Sequence, residues 1–206
     1  MVLAELQYFP PLTFFSVLYK ESYIYLDIYE SYRKMSFRNR CLITGAEGII
    51  SLSVPLKNGR SQMLPVNEVM ISETEHWQVR HFKSICSAYN RSPFFEHYAD
   101  ELKTLYQQPV AGLAEWNLSC LNWLQKKLDW PAEIRFTSSA QPYEGAGWED
   151  HRNQVAPKNY NQWNPVKYRQ VFEERAGFFP NLSVLDLLFN TGKQAGELLR
   201  HSNLQI

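Results

Sequence analysis

The segment Ser36–Pro55 reads SFRNRCLITGAEGIISLSVP, two alternating runs of apolar and polar residues on either side of a glycine-containing turn. This pattern predicts a β-hairpin, because successive side chains of a strand point to opposite faces and glycine accommodates a tight turn. One predicted face collects the side chains of Cys41, Ile43, Ile50, Leu52 and Val54. The other collects those of Arg38, Arg40, Leu42, Ser51 and Ser53. The hairpin therefore has an apolar face for a core and a second face rich in hydrogen-bond donors.

The second face of this hairpin is predicted to carry two guanidinium groups side by side. Arg38 and Arg40 lie two residues apart on one strand, about 6.5 to 7 Å, which is near enough for both to contact one ligand. A guanidinium group offers a rigid fork of donors to phosphate or carboxylate, and Lys57 and Arg60 follow the hairpin as further cations. We interpret this face as a candidate anion site, and the alternative is an ordinary solvated surface.

Composition limits the kinds of partner that the chain can have. It has 206 residues, of which 45% are apolar, and this suits a single domain, residues 1–206, with a substantial core. The formal net charge is zero. General affinity for nucleic acid or for an anionic membrane draws on a large positive excess. We therefore expect no nucleic-acid partner, and any anionic ligand should be small and bound locally.

Cysteine usage and hydropathy predict a cytoplasmic protein. Cys41, Cys86 and Cys120 are odd in number, far apart and without Cys-x-x-Cys spacing. Such a pattern is typical of unpaired thiols in a reducing compartment. The sequence shows no signal-peptide pattern and no apolar run long enough to cross a bilayer, so we expect neither secretion nor a membrane span.

The residues before the hairpin predict a βαβ unit. Val2–Gln7 reads as a strand, Leu12–Lys20 as an apolar helix and Ser22–Asp27 as a second strand. This order predicts a parallel pair of strands with a right-handed crossover. We expect an α/β fold in which the βαβ unit and the hairpin share one mixed sheet, covered by three helices between Glu73 and Leu128.

Ligands of such sheets gather at the carboxyl ends of the strands, which places Tyr8, Phe9 and Asp27 at one edge. The run Tyr-Phe-Pro-Pro lacks the glycines that let a backbone wrap a pyrophosphate, so neither a P-loop nor a dinucleotide-binding fingerprint is present. Asp27 is a candidate general base, a ribose partner or a strand-end carboxylate in a turn. No particular cofactor is indicated.

A short strand, Val66–Ile71, and a helix opened by the capping box Ser72-x-x-Glu75 are predicted next. One face of this helix carries the apolar residues Val79, Phe82, Ile85, Cys86 and Tyr89. The opposite face carries Trp77, Arg80, His81, Ser84 and Ala88. Trp, Arg and His at this spacing can stack on, hydrogen bond and neutralise an anionic ligand; alternatively, the Trp staples the helix start and the other two are solvated. The His has no second ligand at metal spacing, so no metal site is predicted.

The rest of the chain predicts mainly helices around one irregular segment. Helices are predicted from Ser92 to Gln107 and from Leu113 to Leu128, followed by a strand at Glu133–Thr137. Residues 138–165 show no periodicity and predict a functional flap or a partly disordered loop. Ser183 is the predicted N-cap of a helix at Val184–Phe189, and Gly192 separates it from a final helix that ends near His201.

Several of these stretches together resemble the WbqC-like family. They are Tyr8-Phe9-Pro10-Pro11, Ser36-Phe37-Arg38-Asn39-Arg40-Cys41, Leu52-Ser53-Val54-Pro55-Leu56, Trp77 with Arg80-His81, Ala88-Tyr89 before Ser92-Pro93-Phe94-Phe95-Glu96-x-Tyr98, and Pro180-Asn181-Leu182-Ser183 before Leu185-Asp186-Leu187-Leu188-Phe189. The resemblance implies a soluble bacterial protein, often encoded among genes for surface polysaccharide and nucleotide-sugar biosynthesis. Many members carry His-Gln-Pro-Asn where this chain has Ala4, Glu5, Leu6 and Gln7.

Two functions fit these residues. The first is a transferase-like enzyme that acts on an activated sugar or a nucleotide-linked intermediate, with His81 or Asp27 moving a proton. The candidate ligand-binding residues are Tyr8, Phe9, Arg38, Asn39, Arg40, Lys57, Trp77 and Arg80. The second is a non-catalytic protein that holds a glycan intermediate or an enzyme partner. Catalysis requires a titrating group in a cleft, so convergence of His81 and Asp27 beside the two arginines would favour the enzyme.

Overall fold

The fold is built on a parallel sheet in which the predicted βαβ unit is central. The structure, a computed structural model, describes residues 1–73, 76–138 and 147–202. Strand β1 (Val2–Glu5), helix α1 (Leu12–Leu18) and strand β2 (Tyr23–Asp27) follow in order, and the two strands are parallel neighbours with Glu5 opposite Asp27. Strand β1 ends at Glu5, and Pro11 directly precedes the first residue of α1, where its lack of a backbone N–H is tolerated.

Two further strands complete this sheet. Strand β5 (Glu133–Phe136) pairs with the outer edge of β2, and strand β6 (Glu149–Asp150) pairs with the outer edge of β1; both pairs are parallel. The strand order is therefore β5-β2-β1-β6. Because all four strands run in the same direction, their carboxyl ends lie at one edge of the sheet.

The hairpin forms as predicted, with β3 (Arg40–Gly45) antiparallel to β4 (Gly48–Ser53). The α/β class is confirmed, but the hairpin is a two-stranded sheet of its own and is not part of one mixed sheet. The reason is that β1 and β2 already have a parallel partner on each side, so neither has a free edge for the hairpin. Cys41 and Ile43 of its apolar face are fully buried, which packs the hairpin into the common core.

Helices cover this framework. The three that lie between residues 73 and 128 are α2 (Trp77–Tyr89), α3 (Phe95–Gln107) and α4 (Leu113–Lys127), and α5 (Glu173–Ala176), α6 (Val184–Thr191) and α7 (Gln194–His201) follow. Ser183 caps α6 as predicted, since its hydroxyl accepts the Leu185 amide at 3.3 Å. Gly192 ends α6 with φ 59°, a conformation that favours glycine.

The buried face of helix α2 is rotated from the predicted one and overlaps it. Ile85 and Tyr89 of the predicted apolar stripe are buried as expected, but Trp77, His81 and Ala88 of the opposite stripe are buried as well, whereas Val79 is 53% exposed. The physical reason is that the Trp77 indole packs edge-on against Trp116 of α4, with ring centroids 5.1 Å apart. A large aromatic side chain gains more from burial than a valine, so it decides the rotation of the helix.

The segment between the hairpin and α2 differs from the prediction. Val66–Ile71 is not a strand: a 3-10 helix spans Val66–Glu68, and only Met70 and Ile71 then make isolated bridges, to Gly112 and Leu56. Pro65 precedes this turn and cannot donate to a ladder. Glu75 of the predicted capping box lies outside the described residues.

The irregular segment 138–165 supplies structure in its described part. Besides β6 it contains a 3-10 helix, Tyr160–Gln162, and the Asn181 amide donates to the carbonyls of Tyr160 and Trp163 at 3.0 and 2.9 Å. A small apolar cluster packs this part of the chain against the start of the hairpin; its buried members are Phe37, Leu42, Val155, Tyr160, Trp163 and Leu182. Residues 147–163 are therefore part of the framework beside the sheet.

Cys41, Cys86 and Cys120 are all free thiols, as predicted. None of the helices in the described part of the chain combines the length and apolar character that a membrane span requires.

Candidate functional site at the carboxyl edge of the parallel sheet

Three carboxyl groups meet where β1 and β2 end. Glu5 and Asp27 are the last residues of their strands, lie opposite each other and are buried, and Glu30 follows three residues after Asp27. This is the edge at which open parallel sheets bind their ligands. The Glu5 and Asp27 carboxylates both raise the pKa of Glu30, so this edge has the chemistry of a site as well as its position.

Asp27 stabilises the site through hydrogen bonds and an ion pair. Its Oδ1 accepts the amides of Tyr29 and Glu30 at 3.0 and 3.1 Å and the Thr137 hydroxyl at 3.1 Å. Its Oδ2 forms an ion pair with the Arg152 guanidinium at 2.5 Å. Of the roles that the sequence left open for Asp27, these contacts match the strand-end carboxylate in a turn, which here also positions an arginine.

Glu5 connects the end of β1 to the segment after β6. One oxygen accepts from the Gln7 amide at 2.8 Å and the other from the Asn153 backbone N–H at 2.9 Å. The side-chain oxygen of Asn153 in turn accepts from Nη2 of Arg38 at 2.9 Å. Glu5 thus fixes the residue that contacts Arg38.

Glu30 and Arg38 form a buried ion pair beside these groups. Nε and Nη2 of Arg38 both donate to Oε1 of Glu30, at 2.9 and 2.5 Å, and the two side chains are 1% and 8% exposed. Burial raises the pKa of Glu30 to about 7; Arg38 opposes this rise, and the Glu5 and Asp27 carboxylates add to it. Glu30 is therefore a carboxyl group that exchanges its proton near neutral pH.

The two hairpin arginines do not form the paired surface that alternation predicted. Arg38 precedes β3 and is directed to Glu30, whereas Arg40 is the first residue of β3 and its Nε has no partner among the described residues. Both nevertheless lie near Tyr32: burial raises the pKa of Tyr32, and Arg38, Arg40 and Arg60 lower it. The side-chain oxygen of Asn39 accepts a hydrogen bond from the Tyr32 hydroxyl at 2.9 Å, which fixes the position of the Tyr32 ring.

A basic cleft opens above Arg38. It has a volume of about 400 Å³, and its lining residues include Arg33, Lys34, Ser36, Arg38, Asn153 and Lys158. Four cations line it, and none of the described lining residues is acidic. Arg33, Lys34 and Lys158 are exposed, and within the described ranges no carboxylate lies within 4 Å of their charged groups. Three of the four positive charges are thus free to meet a ligand.

His81 lies elsewhere, in an aromatic part of the core. Its Nδ1 is 2.9 Å from the Tyr8 hydroxyl, which also bonds to the Tyr106 hydroxyl, and the Trp77 ring is edge-on at 5.2 Å. Burial lowers the pKa of His81 to about 4, although a hydrogen bond with the Ser53 backbone opposes this. No hydrogen bond joins His81 to Asp27 in the described structure, so the two predicted proton carriers do not converge.

The remaining predicted ligand contacts are placed as follows. Tyr8 and Phe9 are fully buried, and Phe9 packs edge-on against Trp123 at 6.2 Å. Trp77 is 4% exposed, while Arg80 and Lys57 lie at the surface. The buried aromatic residues therefore contact one another, and the structure brings none of these five side chains into the lining of the basic cleft.

Sequence reasoning missed Glu30, Arg33, Lys34, Asn153 and Lys158. A signal existed for the first three, because they lie in the segment that follows a strand of a predicted parallel sheet. Asn153 and Lys158 had none, since they come from a segment without periodicity and are placed by the pairing of β6.

Comparison with known proteins agrees with the motifs. The family model described as the WbqC-like protein family matches residues 7–156 and 139–198, which include the cleft. The chain belongs to this family. It is also similar to "Uncharacterized protein Rv1507c" of Mycobacterium tuberculosis (strain ATCC 25618 / H37Rv), with 26% identity over an alignment that covers 88% of each chain. No solved structure shows a significant match.

Ala4 to Gln7 form the end of β1 and the residues just beyond it. Two of them, Glu5 and Gln7, belong to the buried polar network beside the cleft.

Proposed function

We propose that this protein binds a small anionic molecule, phosphate- or carboxylate-bearing, in the basic cleft. The observation that carries the proposal is the charge of the lining: four cations and no described acidic residue, in a chain whose net charge is zero. The positive and negative charges of the chain balance overall, but unpaired cations are concentrated in this cleft. The cleft should therefore attract anions, although the protein as a whole has no general affinity for them. Arg and Lys bind phosphate and carboxylate through strong charge-assisted hydrogen bonds.

We further propose a transferase-like reaction on an activated sugar or a nucleotide-linked intermediate, with Glu30 as the proton acceptor. Support comes from its pKa near 7, since general bases work best when their pKa lies near the operating pH. Arg38 holds one oxygen of Glu30, while no described residue donates a hydrogen bond to the other. Asp27 acts in this proposal by positioning Arg152 and the Glu30 amide.

The alternative is a non-catalytic protein that holds a glycan intermediate or an enzyme partner with the same cleft. The observation that favours it is the separation of His81 from Asp27, because two predicted proton carriers are not combined in one cleft. Binding needs only Arg33, Lys34 and Lys158, whereas catalysis also needs Glu30 to exchange a proton.

A thermal-shift screen tests the binding proposal. A ligand that binds only the folded protein at one hundred times its dissociation constant adds about 2.7 kcal/mol of stability, which is readily seen as a higher Tm. The screen should include inorganic phosphate, pyrophosphate, nucleotides, nucleotide sugars and acyl carriers. Arg33→Gln and Lys158→Gln should reduce the shift, and Lys83→Gln, an exposed residue of α2 away from the cleft, should not. Absence of any shift, or equal shifts in all variants, would overturn the proposal.

Glu30→Gln then distinguishes an enzyme from a binding protein. For the ligand found in the screen, turnover is followed by ³¹P NMR for phosphate-bearing compounds, alone and with a set of hydroxyl-bearing acceptors. The enzyme proposal expects conversion by the parent and at least a hundredfold slower conversion by Glu30→Gln, with binding retained. Conversion that is equal in both proteins would exclude Glu30 as the proton acceptor, and binding without any conversion supports the non-catalytic alternative.

A further inference from the structure

A second cavity adjoins the basic cleft and shares two of its walls. It has a volume of about 500 Å³ and is lined by residues 31–34, after β2, and residues 60–63, after β4. Arg33 and Lys34 line both cavities. The two cavities are therefore neighbours on either side of one pair of cations, and each has the size of a small-molecule site.

The two cavities differ in the chemistry of their walls. The basic cleft is lined by Arg38, the partner of Glu30, and by Asn153 and Lys158. The second cavity adds one cation, Arg60, and otherwise offers hydroxyl, amide and thioether groups from Ser61, Gln62 and Met63. Apart from the shared pair, each cavity thus adds one cation that is unpaired among the described residues, and the remaining walls of the second cavity can hydrogen bond to a neutral polar group of a ligand.

Gln62 gives an independent indication of a ligand in the second cavity. Its Nε2 donates to the Gly59 carbonyl at 2.6 Å, which fixes the amide, but its buried Oε1 accepts no hydrogen bond from a described residue. A buried acceptor without a donor costs free energy, and a hydroxyl or N–H group of a ligand would satisfy it. Tyr32 forms a firm base for the cavity because its hydroxyl is bonded to Asn39.

From this arrangement, and resting on the proposed function, we infer that the ligand is a diphosphate ester with a polar group on each side. Its phosphates lie at Arg33 and Lys34, between the two cavities. The reacting group occupies the basic cleft, since only that cavity contains Arg38, the partner of Glu30. A hydroxyl- or amide-bearing ring occupies the second cavity and donates to Gln62.

Calorimetric titration with graded probes tests this inference. Inorganic pyrophosphate has the anion without substituents, nucleoside diphosphates add one ring, and their sugar esters add a second group. The parent should bind at least one nucleoside diphosphate tenfold or more tightly than pyrophosphate. Gln62→Ala should remove most of that gain and change pyrophosphate affinity less than twofold, because the substitution is neutral. Arg33→Gln should weaken both probes about tenfold or more, as loss of a charge-assisted contact does.

The outcomes separate this inference from the proposed function. If pyrophosphate binds but no nucleoside diphosphate binds more tightly, the two-cavity ligand is wrong and the anion site stands. The same conclusion follows if Gln62→Ala keeps the full gain, or if Arg60→Gln and Gln62→Ala both behave as the Lys83→Gln control. If no probe binds the parent protein, the proposed function itself fails. Thermal unfolding of each variant confirms that the folded fraction is the same in every titration.

Discussion

Replacing Arg38 by Met isolates the contribution of the buried Glu30–Arg38 ion pair. Met keeps much of the aliphatic stem while removing the charge and the donors. The substitution deletes two hydrogen bonds to Glu30 and one to Asn153. Glu30, only 8% exposed in its side chain, is left without a cation.

The size of the effect follows from the burial of the pair. Removing one partner of a buried ion pair costs about 3 to 5 kcal/mol, because the remaining charge stays desolvated and unpaired. Natural domains have about 5 to 15 kcal/mol of stability in total, so the variant should remain folded. For a chain of this length we expect the Tm to fall by about 6 to 20 °C at pH 8.

The effect should depend on pH in a definite direction. The pKa of Glu30 is about 7 in the folded protein against an ordinary value of 4.5, so the stability from its protonated form is fully present below 4.5. It is lost as the pH rises through 7, by about 3 kcal/mol in total. Without Arg38 this loss is larger, because nothing opposes the effect of burial. Arg38→Met should therefore be much more destabilising at pH 8 than at pH 5.

Urea unfolding followed by tryptophan fluorescence measures these free energies, since the chain has six tryptophans. The control is Glu30→Gln, which removes the charge that Arg38 compensates. The double variant should be more stable than the sum of the single changes predicts, by about 1 to 3 kcal/mol. Equal destabilisation at pH 5 and pH 8, or simple additivity, would refute the account of this pair.

Three further predictions concern other parts of the structure. Because burial lowers the pKa of His81 to about 4, the free energy of unfolding of the parent should fall by up to about 3 kcal/mol as the pH falls from 6.5 to 4. His81→Asn should lack this loss in urea unfolding. An unchanged pH profile in the variant would contradict the buried, neutral His81. Gly192→Ala should lower the stability by about 1 to 3 kcal/mol, because φ is +59° and a Cβ would meet Phe94 at 2.6 Å. Gly112→Ala should be almost neutral, because the atom nearest to its Cβ is 3.8 Å away. Equal effects of the two variants on thermal unfolding would show that the conformation of Gly192 is unimportant. Thiol titration of the denatured, unreduced protein should count three groups, and in the native protein Cys86 should react first because the other two are buried; a count of one would indicate a disulfide.

Local signals were sufficient for much of the fold. The double proline precedes α1, alternation marks the hairpin strands, Ser183 begins α6 and Gly192 ends it. The inward faces of α3 and α4 also agree with their apolar periodicity. These features depend on neighbours within a few residues, which a sequence displays directly.

The features that were missed depend on distant partners. The rotation of α2 depends on Trp116, which lies 39 residues after Trp77, so apolar periodicity alone predicted only part of its buried face. Strand β6 has two residues and no pattern of its own, and only its pairing with β1 makes it a strand. Alternation places Arg38 in a strand, but β3 begins at Arg40 and Arg38 is held by Glu30 of the preceding loop.

The candidate site was likewise predictable where it depends on neighbouring residues and unpredictable where it depends on distant ones. Asp27 could be placed at the carboxyl edge because it ends a strand of the predicted βαβ unit. The basic cleft could not be predicted, because it joins the loop after β2 to Asn153 and Lys158 from the segment after β6. Its charge is also invisible in the composition, where cations and anions balance.

Binding of pyrophosphate at the basic cleft is tested most directly by amide chemical shifts of isotope-labelled protein during titration. We predict saturable shifts that are largest for residues 33–38 and 153–158, and a shift of the Arg38 Nε–H signal. Lys158→Gln should weaken the titration, and Lys83→Gln should leave it unchanged. Absence of saturable shifts, or shifts concentrated away from these two segments, would contradict the anion site.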